Sequence, residues 1–149
     1  MDRLISELPF FTPEHRELAQ SVAQLVQEEI EPRAANEEDV DSASRDFVSL
    51  LAHTGILNFA VADKKLDIRS LCLIREALAY SSSLADLAFV MQGLGTYAIS
   101  QAAPDHVREF WLSRAASGKA IAAFALTEPE AGSDVAAIQT TARRDGETY

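Results

Sequence analysis

One cysteine in 149 residues leaves no partner for an internal disulfide, so Cys72 cannot staple this chain. Its setting, Leu71-Cys72-Leu73-Ile74, reads as buried apolar filler in a reducing compartment, and the cytoplasm is the expected location. Long apolar runs are missing too. None approaches the ~20 residues that a membrane helix needs, and Met1 to Glu7 are acidic and mixed, not a basic start followed by an apolar stretch, so neither a membrane partner nor an export address is expected. Basic residues are few: 13 Lys and Arg stand against 23 Asp and Glu, for a formal net charge of -10. A surface of that sign does not neutralise phosphates, which removes nucleic acid as an expected partner. The three histidines, His15, His53 and His106, lack the spacing of a metal site, and each reads as an ordinary surface or packing residue. Internal repeats and low-complexity tracts are also absent, which sets aside solenoid and disordered architectures.

What is present is a globular balance of 48% hydrophobic and 24% charged residues, enough for one ordinary core. Thr12-Pro13-Glu14 is a helix start: a hydroxyl at the cap, proline at the first helical position, and an acid in the positive first turn. Leu18, Val22, Leu25, Val26 and Ile30 then form one apolar stripe, and Pro32 is expected to close the helix. A second helix is expected from about Asp41 to Thr54, with Phe47, Leu50 and Leu51 inward and Gly55 at its left-handed stop. The acidic clusters Glu28-Glu29-Glu31 and Glu37-Glu38-Asp39-Asp41 read as solvated faces around that junction.

The run Ile56 to Val61 does not choose between helix and strand and is read as extended or irregular, with Asp63-Lys64-Lys65 a solvated turn after it. Ile68, Leu71, Ile74 and Leu78 resume helical spacing. Past Ser81-Ser82-Ser83, the stretch Leu84 to Ala102 holds one charge, Asp86, and reads as a central helix apolar all round. Gly93 and Gly95 inside it each cost ~1 kcal/mol relative to alanine, so either tight helix packing or a close ligand is implied. Pro104-Asp105 opens a further helix, with Val107, Phe110 and Trp111 on one side and Arg108, Glu109 and Arg114 on the other, ending at Ser117-Gly118.

That makes a mainly α chain: a bundle of about five helices over residues 1–118. The segments Ala120 to Leu126 and Val135 to Ala142 then read as the first strands of a β-domain over residues 119–149. Between them lies Thr127-Glu128-Pro129-Glu130-Ala131-Gly132-Ser133-Asp134. As a bare pattern this is either a hairpin turn or a loop that holds a ligand. Ala131 and Gly132 admit a bulky group close to the backbone, the peptide N–H groups can receive anionic oxygens, and the Thr127 and Ser133 hydroxyls can donate. The carboxylates of Glu128, Glu130 and Asp134 are expected to face solvent or cap backbone groups, because inward they would repel an anion.

The full string Ala-Phe-Ala-Leu-Thr-Glu-Pro-Glu-Ala-Gly-Ser-Asp, residues 123 to 134, resembles the signature of the acyl-CoA dehydrogenase family, and Ile74 to Ala79 and Val135 to Tyr149 extend the likeness. The resemblance implies FAD as cofactor and acyl-CoA as substrate, with a glutamate taking the α-proton while the flavin accepts the β-hydride, giving a 2-enoyl-CoA. It places Phe124, Ala125 and Leu126 along the flavin, the Thr127 hydroxyl on the ring, Gly132 at the close approach, and Ser133 on both cofactor and acyl-CoA. It lines the acyl pocket with Val90, Leu94 and Gly95. It implies no catalytic residue in these 149 positions, because the family's glutamate belongs to a C-terminal bundle, and it implies a homo-oligomer for the full-length protein.

The sequence departs from the family where a glycine-rich loop is replaced by Ala62-Asp63-Lys64-Lys65-Leu66-Asp67, and the chain is under half the family's usual length. Besides a flavoenzyme fragment, a non-catalytic helical interaction module and one subunit of a split enzyme therefore stay open.

Overall fold

The computed structural model describes residues 5, 7–35, 38–61 and 65–148, and the expectations for residues 1–4, 6, 37, 62–64 and 149 lie outside them. In chain order the helices are α1 Pro13–Leu25, α2 Glu31–Ala34, α3 Val40–His53, α4 Leu57–Ala60, α5 Ile68–Ser81, α6 Ser83–Ala102 and α7 Asp105–Ala116. Five are long, as the sequence implies.

The starts are set by caps. Asp39 accepts from the Ser42 N–H at 3.1 Å ahead of α3, and the Ser82 hydroxyl accepts from the Ala85 N–H at 3.0 Å ahead of α6. At α1 the partner of Thr12 is His15, which is buried: the Thr12 N–H and hydroxyl both meet its Nδ1, at 3.2 and 2.6 Å. Two donors on Nδ1 leave the ring proton on Nε2, which donates to the Asp67 carboxylate at 2.7 Å. Asp67 in turn caps α5, so one imidazole ties the starts of two helices together. The Ser70 hydroxyl first, then the His15 ring and the Arg69 N–H, hold the Asp67 carboxyl down at about 2.

Pro32 does not end the first helix. A π-helical segment, Val26–Ile30, follows α1, with the Glu31 N–H bonding back to the Val26 carbonyl, and Pro32 then falls in the first turn of α2. Residues there need no donor, so the proline rule is satisfied by a change of helical register, not by a stop.

The core is built from Val22, Val26 and Ile30, from Phe47, Val48 and Leu51 of α3, from Ile74 and Leu78 of α5, and from Leu84, Ala85, Ala88 and Phe89 of α6. Helix α6 is central, packing on α3, α4, α5 and α7. The run Ile56 to Val61 is helical, not extended: Gly55, at φ +78°, stops α3, Ile56, Leu57 and Ala60 then bury in the main core, and Val61 buries against Leu112 and Ala115 of α7. Packing room explains Gly93, where a Cβ would lie 3.0 Å from the Ala60 carbonyl oxygen.

Some residues on the apolar faces read from the sequence, and the cysteine read as buried, lie outside. Ile68, in the first turn of α5, is exposed, and so is Cys72, which lies on the side away from Leu73, Ile74 and Leu78. On α7, Leu112 and Ala115 face the core while Phe110 and Trp111 are 49% and 44% exposed. The two rings pack edge-on at 5.1 Å, and the Arg114 guanidinium, expected on the opposite side, covers Phe110 at 4.2 Å.

No strand forms in the described residues after Gly118. The region instead holds isolated bridges at Glu128–Ala131 and Asp145–Thr148 and a 3-10 turn at Val135–Ala137. A strand needs a neighbouring backbone to take up its N–H and C=O groups, and here residues 120–123 lie against the side of α6.

Candidate functional site

Gly118, at φ +70°, turns the chain out of α7, and the Lys119 and Ala120 N–H groups both close on the Arg114 carbonyl, at 2.9 and 3.1 Å. The next contact is with Gln92 of α6, which is 1% exposed. Its Nε2 donates to the carbonyls of Ala115 and Ala120, both at 2.9 Å, and its Oε1 accepts the Ala122 N–H at 2.6 Å. One turn along, Gly95 lies under Ala122 and Ala123: a Cβ there would meet the Ala122 Cβ and the Ala123 oxygen at 2.8 Å. This segment, not a ligand, occupies the space that Gly95 leaves.

Beyond Ala123 the chain stands open. Phe124 and Leu126 are 44% and 41% exposed, Ala125 and Thr127 are exposed, and no backbone hydrogen bond among the described residues engages 124–127. The turn that follows is held by its own acid. Glu128 and Ala131 exchange backbone hydrogen bonds at 2.9 and 3.2 Å, and the Glu128 carboxylate accepts the N–H groups of Gln139 and Thr140, at 2.9 and 2.8 Å. The Gln139 N–H first, then the hydroxyl and N–H of Thr140, lower the Glu128 carboxyl pKa. Asp134 caps the Ala136 N–H, and Glu130 is exposed, so the three acids face solvent or cap backbone as expected. Gly132 has nothing within 4 Å of a Cβ position, and Ser133 beside it is exposed.

On α6, Leu87, Val90, Leu94 and Tyr97 recur at intervals of three and four and form an apolar stripe facing solvent, with Leu87 and Tyr97 each 51% exposed. A helix expected to be covered all round is therefore bare on one side. Val90 and Leu87 also line a shallow pocket of about 380 Å³ with Val40, Ser83, Leu84 and the Arg75–Asp86 pair. The structure thus brings Gly95 against the start of the signature and sets Val90 and Leu94 on one stripe. It shows no contact joining Thr127, Gly132 or Ser133 to that stripe. Sequence reasoning missed Gln92, whose only signal is an amide in the middle of a largely apolar run.

The family model described as "Acyl-CoA dehydrogenase, N-terminal domain" matches residues 12–119. The chain belongs to the acyl-CoA dehydrogenase family. Among curated relatives, it is 28% identical over 145 residues to the pig (Sus scrofa) "Long-chain specific acyl-CoA dehydrogenase, mitochondrial", covering 93% of this chain and 33% of that protein. It is 29% identical over 142 residues to "Cyclohexane-1-carbonyl-CoA dehydrogenase" of Geobacter metallireducens, covering 91% of this chain and 37% of that protein. It is 30% identical over 146 residues to "3-(aryl)acrylate reductase" of Clostridium sporogenes, covering 94% and 38% respectively. The chain thus spans about a third of the length of these relatives.

Proposed function

We propose that these residues form the amino-terminal helical part and the first flavin-facing segment of an FAD-dependent acyl-CoA dehydrogenase, which converts an acyl-CoA thioester to the 2-enoyl-CoA in fatty acid metabolism. The observation that carries this reading is the segment 120–127: anchored on α6 at one end, it presents Phe124, Ala125, Leu126 and Thr127 with their backbone groups unused. FAD fits that chemistry, since bare N–H groups and the Thr127 and Ser133 hydroxyls are donors for a polar ring edge, and Gly132 leaves room for close approach. When bound, the flavin supplies the hydride acceptor. This chain's own residues orient it: Phe124 and Leu126 cover apolar ring surface, and the hydroxyls hold donors where negative charge accumulates. The Leu87, Val90, Leu94 and Tyr97 stripe offers an apolar wall to an acyl chain, and Gly95 lets segment 120–127 lie close against the same helix.

The boundary between helical and flavin-facing parts is placed near Gly118, supported by the family match ending at residue 119. We place the protein in the cytoplasm because a lone, exposed thiol at Cys72 suits a reducing compartment, and the family resemblance favours a homo-oligomer for the full-length protein. The bare stripe on α6 also favours a second reading, a non-catalytic module that docks a partner there.

Flavin content separates the two. The product of the whole reading frame containing these residues is purified with and without Thr127→Val and Ser133→Ala. The dehydrogenase reading expects about one FAD per chain and, from one or two lost charge-assisted bonds, roughly tenfold or more weaker binding in the double variant. A protein that neither retains nor takes up FAD would sink it in favour of the docking module.

A further inference from the structure

Gln92 is the only buried amide side chain among the described residues, and burying an amide is costly unless its donors and acceptor are all used. Here they are, and every partner lies outside its own helix. The other buried polar groups nearby behave differently. Thr96 returns its hydroxyl to the Gln92 and Gly93 carbonyls, and Ser100 returns its own to Tyr97, so both serve α6 alone. Gln92 reaches across to the end of α7 and to the first residues of the signature segment.

That segment has no neighbouring strand to fix its register among the described residues. A slip of one residue in such a chain turns every side chain to the opposite side. Ala120 and Ala122 lie partly buried against α6 while Ile121 and Ala123 face out, so the register in force is the one that Gln92 and Gly95 select. A glutamine suits the task where other side chains do not. It offers two donors to two carbonyls and one acceptor to an N–H; a glutamate would set a carboxylate against those carbonyls, and an apolar side chain would orphan the Ala120 carbonyl and the Ala122 N–H, the Ala115 carbonyl keeping the Gly118 N–H.

We infer that Gln92 is a positioning residue: it pins the register of segment 120–127 and so decides which side of Phe124, Leu126 and Thr127 meets the ligand. The ligand in that statement rests on the flavin reading above, whereas the register itself rests only on the hydrogen bonds of this chain.

Amide exchange followed by NMR on the 149-residue chain tests the pin without any cofactor. The Ala122 N–H exchanges slowly in the unaltered chain while those of Phe124 to Thr127 exchange fast. Gln92→Met speeds Ala122 exchange by about tenfold or more, the worth of a lost buried hydrogen bond. Gln92→Glu speeds it likewise at neutral pH but recovers protection as its carboxyl takes up a proton, because a neutral acid again offers a donor beside an acceptor; Gln92→Met shows no such recovery.

Ala122 exchanging as fast as Phe124 in the unaltered chain, or unchanged exchange in Gln92→Met, overturns the inference. Should neither variant fold, the unaltered chain still decides, because Gln92 side-chain protons that exchange as fast as those of the exposed Gln20 and Gln101 also overturn it. If the complete protein binds no FAD yet Ala122 is protected through Gln92, the flavin reading fails and the pin stands. If FAD binds normally in a Gln92→Met protein whose Ala122 protection is gone, the positioning role fails and the flavin reading stands.

Discussion

Replacing Gly95 by alanine sets two known effects against each other. In the middle of α6 the substitution favours the helix by about 1 kcal/mol. The new methyl lands 2.8 Å from the Ala122 Cβ and the Ala123 oxygen and 2.9 Å from the Ala123 nitrogen, none of them the free end of a flexible side chain. Overpacking of that kind costs typically about 1–3 kcal/mol, and moving the segment also strains the 2.6 Å bond from the Ala122 N–H to Gln92. The balance is a net loss of up to about 2 kcal/mol, or up to roughly 4–8 °C in melting temperature for a chain of this size. Gly93→Ala is the control, since its contacts with Ala60, at 3.0 and 3.1 Å, are looser and the net effect falls closer to zero. Thermal and urea denaturation of the three proteins, with Ala122 amide exchange as local readout, checks this. A Gly95→Ala protein that gains the full ~1 kcal/mol of helix propensity and keeps Ala122 protected would refute the packing argument.

Gly118→Ala puts a Cβ at φ +70° and 2.9 Å from the Ala52 methyl, so it should cost about 1–2 kcal/mol for backbone alone and more for the clash, whereas Gly146→Ala, at φ +62° in open space, costs only the backbone part; denaturation midpoints compare them. Phe89→Ala empties a fully buried site in the middle of the bundle and should cost about 3–5 kcal/mol by urea denaturation. Asp67 titrates at about 2 in the fold, below its unfolded value, so its contribution is fully present above about pH 4 and is lost as pH falls toward 2. Because its side chain is 46% exposed, solvent screening limits that contribution to under about 1 kcal/mol; Asp67→Asn should flatten the stability profile between pH 5 and 2, read from denaturation midpoints across that window.

The long helices were legible because each buries one stripe at helical spacing and each start carries its own chemistry, as Thr12-Pro13 does for α1. The misreadings have physical causes. Pro32 breaks an α-helical ladder, and the rule does not foresee a π-segment that changes the ladder first. Phe110 and Trp111 were read as the apolar side of α7, opposite Arg114, yet Leu112 and Ala115 face the core and Arg114 covers Phe110. Strand-like composition in Ala120 to Leu126 announces willingness to pair, not a partner. At the candidate site, the string from Ala123 to Asp134 was readable as a family resemblance, while Gln92 belongs to no motif. Its three partners come from residues 23 to 30 positions away, which no local pattern encodes.

The proposal that this chain serves a flavin that oxidises acyl-CoA is tested most directly by anaerobic reduction of that flavin. The product of the complete reading frame is mixed, without oxygen, with acyl-CoAs from short to long and cyclic acyl groups, and the visible flavin absorbance is followed. Rapid bleaching by at least one of them, with formation of the matching 2-enoyl-CoA, is the predicted result. A flavin that stays oxidised with the whole panel would contradict the account.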